Sequence, residues 1–197
     1  MTTIKLSYSI LNAWSTGNFE QAIGQYLGKP WVATPAMELG SLMDQLWSNH
    51  AKVKKQIHPD LGGGGLGNPV VQTKYEKILP FSDEYQILLR GVPDTVDGEI
   101  LYEYKCGMTT AGQYIDKLQM DYYKLLLPEL NIGYYLCYNP YNKTYTKGVK
   151  YLHQSNAETA LEHIMTFGGE MLDYLIVNKL VIDFKGWKNG KSWHGKI

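Results

Sequence analysis

The chain has 197 residues, 44% of them apolar, with 19 basic residues set against 19 acidic ones and a formal net charge of zero. This length and apolar content suit one domain, residues 1–197, with a sizeable core, and no apolar run approaches the length of a membrane span. Only two cysteines, Cys106 and Cys137, are present, which excludes a disulfide framework; with no signal-peptide pattern at the start, the expected address is the cytoplasm.

Residues 7–27 read as helical, with Ser7 or Ser9 as N-cap and a break over residues 15–18. Thr34-Pro35 opens the next helix, threonine as N-cap and proline at its first position, with Met37, Leu39, Met43, Leu46 and Trp47 as its apolar residues. Gly40 inside that helix costs stability and predicts close approach of another backbone or of a ligand. The glycine-rich stretch 62–67 is not followed by Gly-Lys-Ser/Thr and reads as a mobile loop rather than a phosphate cradle. Gly190-Lys191-Ser192 leaves too little chain for the helix that a phosphate-binding loop needs.

Residues 70–79 predict a strand, with alternation clearest from Thr73. Residues 85–92 and 99–106 predict two hairpin strands joined at Asp97-Gly98, a dipeptide that favours a type I′ turn. Residues 109–127 read as a helix stopped by Pro128, 131–138 and 144–153 as a strand pair, and 156–180 as a last long helix. In that helix Leu161, Ile164, Met165, Leu172, Leu175 and Ile176 are the expected inner residues, and Gly168-Gly169 marks an expected kink. The element order is α/β. The tail, residues 184–194, interleaves aromatics with lysines; it suits a stacking surface for single-stranded nucleic acid and equally a terminus folded back on two buried tryptophans.

The chemistry concentrates between Arg90 and Lys105. Asp94 ends the first predicted hairpin strand, and Glu103 and Lys105 are two apart on the second, so they share a face. Two carboxylates offer hard oxygen ligands for Mg²⁺ or Mn²⁺, and an ammonium beside them steadies an attacking water and developing phosphate charge. The other reading is an exposed ribbon with solvated Glu and Lys. Downstream, Gln119 and Tyr123 stand at i and i+4 on one helix face, where an amide can reach a phosphate or a bound water and a phenol can pack beside it with its hydroxyl free.

Pro93-Asp94 followed by Glu103-Tyr104-Lys105 resembles the PD-(D/E)xK nuclease superfamily. Gln119-x-x-x-Tyr123, and Gly40-Ser41-Leu42-Met43-Asp44 upstream, resemble the motifs of its RecB-like exonuclease branch, in the same order. The resemblance implies a restriction-endonuclease-like core, a mixed central sheet flanked by helices, and Mg²⁺- or Mn²⁺-dependent cleavage of DNA. It implies Asp94, Glu103 and the Tyr104 carbonyl as metal ligands and Lys105 as the group that positions water. Asp44 would contribute directly or through water, and Gln119 and Tyr123 would orient the scissile strand. Arg90 would touch a phosphate or form a structural ion pair.

Two departures matter. Asp44 stands where that branch has histidine, which makes the site all-oxygen. Two cysteines cannot hold the four-cysteine iron–sulfur cluster of some members, so a cluster-free exonuclease is the expectation. The neutral net charge implies modest intrinsic DNA affinity, supplemented by a homo-oligomer or a recombination partner protein. Lysine clusters at Lys52, Lys54 and Lys55, at Lys143, Lys147 and Lys150, and in the tail are each better read as solvated surface. The rival reading is a catalytically silent nuclease-fold protein that binds DNA or a protein. A third keeps catalysis but acts on RNA or on particular nucleic-acid structures.

Overall fold

The structure, a computed structural model, describes residues 1–30 and 33–183. The aromatic and basic tail and Gly190-Lys191-Ser192 lie outside the described residues. Residues 1–6, to which the sequence reading assigns no element, form most of strand β1 (Thr2–Ser7). β1 buries Ile4 and Leu6 on one face, as β4 (Tyr85–Gly91) buries Ile87 and Leu89. The two strands pair in parallel, from Thr2 opposite Tyr85 to Ser7 opposite Arg90, and β3 (Tyr75–Pro80) closes the other side of β4 antiparallel.

Ser7 then caps α1 (Tyr8–Ser15), and the chain breaks where expected. Gly17 turns with φ 81° and Asn18 caps α2 (Phe19–Tyr26). α1, α2 and the long α6 (Gln154–Val177) bury Leu11, Tyr26, Ile164 and Leu172 against this three-stranded sheet.

A second sheet has the order β2 (Val70–Val71), β5 (Thr95–Asp97), β6 (Ile100–Cys106), β7 (Ile132–Asn139), β8 (Thr144–Tyr151). Only β6 and β7 run parallel, so the chain must cross over between them through α4 (Gly112–Ile115) and α5 (Gln119–Leu126). Both sheets are mixed and flanked by helices. α3 (Pro35–Lys54) covers one face of the second sheet, setting Trp47 edge-on to Tyr104 at 6.2 Å between ring centroids. α5 covers the other, where Met120 and Tyr123 meet Leu101 and Tyr135. No helix among the described residues is long and apolar enough to cross a membrane.

The expected α/β core is present, with its strands divided differently. Strands 85–92 and 99–106 are not partners: β4 belongs to the first sheet, and the short β5 pairs with β6 in the second. Asp97 pairs with Ile100 across Gly98-Glu99, and only Gly98, φ 59°, has a positive φ, which fits type II′ rather than I′. The strand expected at 70–79 is split between β2 and β3 at Gln72, whose φ is 44°. The helix expected at 109–127 divides into α4 and α5, so Gln119 opens α5.

Thr34 caps α3 as expected, its Oγ1 accepting from the Met37 amide at 3.4 Å. The apolar residues of α3 do not all face inward. Trp47 is buried and Met43 partly packed, whereas Met37, Leu39 and Leu46 are exposed. α6 runs unbroken through Gly168-Gly169, which serve close packing: a Cβ on Gly168 would lie 3.3 Å from Leu6, and one on Gly169 3.0 Å from Phe81. Leu161 and Ile176 point outward on α6, and Ala157, Ala160 and Met171 take inner positions. The glycine-rich loop is anchored by buried Leu61 and Leu66 and by Asp97, which accepts from the amides of Gly67 and Asn68.

Candidate active site

Alternation along β6 points Glu103 and Lys105 to the α5 face and Tyr104 to the α3 face. Glu103 is 1% exposed, so its charge must be met internally. Lys105 Nζ and Gln119 Nε2 each donate to its Oε2 at 2.8 Å, and the Asp94 amide donates to Oε1 at 3.4 Å. Asp94 precedes β5, and its Oδ2 accepts from the Tyr104 amide at 2.7 Å. The structure thus brings Asp94, Glu103, Lys105 and Gln119 to one edge of β6.

Proline has a part in this edge. Extending the β5–β6 register by two residues from Thr95 opposite Tyr102 would set Pro93 opposite Tyr104. Proline has no N–H to give a ladder carbonyl, so pairing stops and the Asp94 side chain meets the Tyr104 amide instead. In a strand the carbonyl of a residue points to the same side as its amide, which puts the Tyr104 carbonyl on the Asp94 edge too. The Tyr104 phenol is used elsewhere, donating to buried Thr95 Oγ1 at 2.8 Å.

Electrostatics follow from crowding. Burial pushes the Asp94 carboxyl well above the usual carboxylate range, and the Glu103 charge pushes the same way; Lys105 and the Tyr104 amide oppose them. Burial disfavours the Lys105 ammonium, but Glu103 and Asp94 outweigh it and raise its pKa, so the lysine stays charged at neutral pH. It therefore serves as a fixed positive charge rather than as a base.

Asp44, on α3, stands near enough to Glu103 and Lys105 to feel their charges. Its pKa is raised by burial first and then by Glu103. Oδ2 accepts from Gln72 Nε2 at 2.9 Å, and Oδ1 is buried with no hydrogen-bond partner among the described residues. The Ser48 hydroxyl, one turn along, favours the charged form, yet neither its oxygen nor Asp44 Oδ1 closes a hydrogen bond of ordinary geometry. Gly40 has open space where a Cβ would stand, so no described part of the fold uses it for close approach.

One further expectation changes. The Tyr123 hydroxyl is not free: it donates to the Val92 carbonyl at 3.1 Å on a side chain only 6% exposed. Of the two readings open for Arg90, the ion pair is present, its Nη2 standing 2.6 Å from Glu76 Oε1. Both line a pocket of about 250 Å³ beside the carboxylates, together with Tyr8, Val92, Gln119 and Tyr122. The lysine clusters are partly committed as well, since Lys150 pairs with Asp121 and Lys147 lies 4.0 Å from the Tyr134 ring centre.

The donor set suits a hard divalent cation. All its donors are oxygens, the carboxylates repel one another in the absence of a cation, and Asp44 keeps one buried oxygen unused. Among the described residues no three His, Cys, Asp or Glu side chains cluster as a preformed cage. Mg²⁺ does not need one, because one or two carboxylates with water and substrate phosphate complete its shell.

Sequence reasoning missed Gln72 and Thr95. Gln72 carries one faint signal, the loss of alternation before Thr73. The partnership of Thr95 with Tyr104 depends on the short β5, which no periodicity can reveal.

No protein-family model matches the chain, and no curated protein matches it in sequence. Solved structures do match. An alkaline exonuclease from Laribacter hongkongensis is 15% identical with a TM-score of 0.54, over 89% of this chain and 91% of that one. Its complex with dAMP is 13% identical with a TM-score of 0.51 over the same shares. A candidate exonuclease from Eubacterium rectale is 10% identical with a TM-score of 0.55, over 98% of this chain and 90% of that one. At these identities the likeness is one of fold: this chain is built as those nucleases are, a mixed α/β core flanked by helices.

Proposed function

We propose that this protein is a metal-dependent deoxyribonuclease of the RecB-like kind, acting as an exonuclease. The observation that carries the reading is the meeting of Asp94, Glu103, Lys105 and Gln119 at one sheet edge, in a fold shared with exonucleases. Asp94, Glu103 and the Tyr104 carbonyl would hold Mg²⁺ or Mn²⁺, with Asp44 as a further oxygen donor. A cation bound there supplies Lewis acidity to the scissile phosphate and a more acidic water.

The chain's own groups do the rest. Lys105 holds the attacking water and offsets charge that builds on the phosphate oxygens, the more strongly because the site is largely shut off from solvent. Gln119 has two amide protons and spends one on Glu103, leaving the other to orient the scissile strand. Tyr123 acts as a wall that fixes Val92 and the approach to Asp94. Arg90, held by Glu76, adds positive potential to the adjoining pocket. DNA is the proposed substrate; a neighbour of the same fold binds dAMP. Neutral overall charge implies modest affinity, reinforced by self-association or a recombination partner protein.

Two sequence features favour a binding-only protein: aspartate at position 44, where the RecB-like motif has histidine, and the neutral net charge. End-labelled linear DNA and closed circular DNA, incubated with Mg²⁺, Mn²⁺ or chelator, separate the readings. Degradation of linear DNA alone, abolished by chelator, is expected. Cutting of the circle as well means an endonuclease, and no cutting under any condition means a binding protein.

A further inference from the structure

We propose that Gln72 is a positioning residue of the metal site, holding Asp44 at the sheet edge beside Asp94; this rests on the nuclease reading above. Gln72 interrupts the chain between β2 and β3 with φ 44°, in the left-handed region that a residue bearing a Cβ adopts only at a cost. Glycine would take that conformation freely. What glutamine adds is a side chain, and the structure uses it: Nε2 donates to Asp44 Oδ2 at 2.9 Å.

The backbone of the same residue donates to the Asp94 carbonyl at 3.0 Å. Gln72 thus joins, through two hydrogen bonds, two carboxylate residues brought in by separate elements, α3 and the approach to β5. Its pairing follows from register, because Val71 lies opposite Thr95 and the next residue therefore meets Asp94.

The chemistry of the donor matters. An amide occupies one carboxylate oxygen without neutralising the charge, whereas Lys105 meets Glu103 with an opposite charge. Asp44 keeps a buried Oδ1 that has no hydrogen-bond partner among the described residues. That is the state in which an outer hydrogen bond presents a carboxylate to a cation, and loss of such a partner lowers metal affinity by about ten- to a hundredfold. A residue that only braced the loop would change stability and leave affinity alone.

Mn²⁺ titration calorimetry on the full chain, with urea unfolding in chelator alongside, tests this. Gln72→Ala and Gln72→Gly should each weaken Mn²⁺ binding by about tenfold or more. Gln72→Gly should do so with no loss of folding stability, because it relieves the left-handed conformation. In an Asp44→Ala background, which should itself bind more weakly, Gln72→Ala should have no further effect. Wild-type affinity in both single variants overturns the proposal, as does an equal loss with Asp44 already removed. If the unmodified chain binds no Mn²⁺ the nuclease reading fails first; if it binds and Gln72→Gly is indistinguishable, only the positioning role falls.

Discussion

Two buried charge clusters flank α5, and they are built differently. Asp121, 2% exposed, pairs with Lys150 at 2.8 Å through Oδ2 and accepts from Asn156 at 2.8 Å through Oδ1. One negative charge meets one positive, and both carboxylate oxygens have partners. At the β6 edge three carboxyl groups, Asp44, Asp94 and Glu103, share one ammonium among the described residues, that of Lys105, so the acids outnumber their counter-charge. A balanced buried pair is explained by folding alone. Buried carboxylates left without enough counter-charge are costly and point to a ligand that completes them.

The largest expected effect is on cleavage. Asp94→Asn and Glu103→Gln should each reduce DNA degradation by about a hundredfold or more, measured as single-turnover rate at saturating DNA. Lys150→Met should leave the rate per folded molecule intact while costing about 3 kcal/mol of stability in urea, because it strands Asp121. Asp94→Asn should go the other way in chelator and be at least as stable as wild type at neutral pH. The sign follows from the raised Asp94 pKa: the folded state prefers the protonated acid, and that preference is lost as pH rises from the ordinary carboxylate range through the raised value. Should Asp94→Asn prove as destabilised as Lys150→Met, the contrast between the clusters collapses.

Lys105→Ala should slow turnover by about a hundredfold at saturating metal while leaving Mn²⁺ affinity near normal, because its charge acts chiefly in the transition state. A wild-type rate in that variant would remove the lysine from the mechanism. Gln119→Ala should lose less, since an amide orients rather than neutralises. Single-turnover rates that fell as far as in the lysine variant would promote Gln119 to the metal's immediate surroundings.

The smallest effect is on pH dependence. Metal must displace the proton from Asp94, so Mn²⁺ affinity should keep rising with pH beyond the ordinary carboxylate range. An affinity already level at mildly acid pH would mean that Asp94 is ionised there without help.

The contrast also separates what sequence can reveal from what it cannot. Glu103 and Lys105 were legible because strand alternation alone puts residues two apart on one face, and Asp94 because it ends a predicted strand in a Pro-Asp pair that resembles a nuclease motif. Gln119 and Tyr123 were legible as a helical pair, although the free hydroxyl expected of Tyr123 is spent on Val92. Partner choice was hidden. Alternation in residues 85–91 identifies a strand and its inner face but not that it lies beside Thr2–Ser7, more than seventy residues upstream in the register. Gln72 was nearly hidden for a related reason: beyond the loss of alternation before Thr73, a left-handed glutamine has no sequence signature, and its side chain gains meaning only when α3 brings Asp44 to it. Lys150 reads in the sequence as solvated surface, and its pairing with Asp121 depends on β8 meeting α5.

Calorimetric titration of Mn²⁺ into wild type, Asp94→Asn and Glu103→Gln at neutral pH tests the central claim most directly, that the surplus of buried carboxylate is a cation site. The account predicts binding to the wild type and its loss or severe weakening in both variants, with Lys150→Met binding as wild type does. Undiminished binding in both carboxylate variants would contradict it and place the ligands elsewhere.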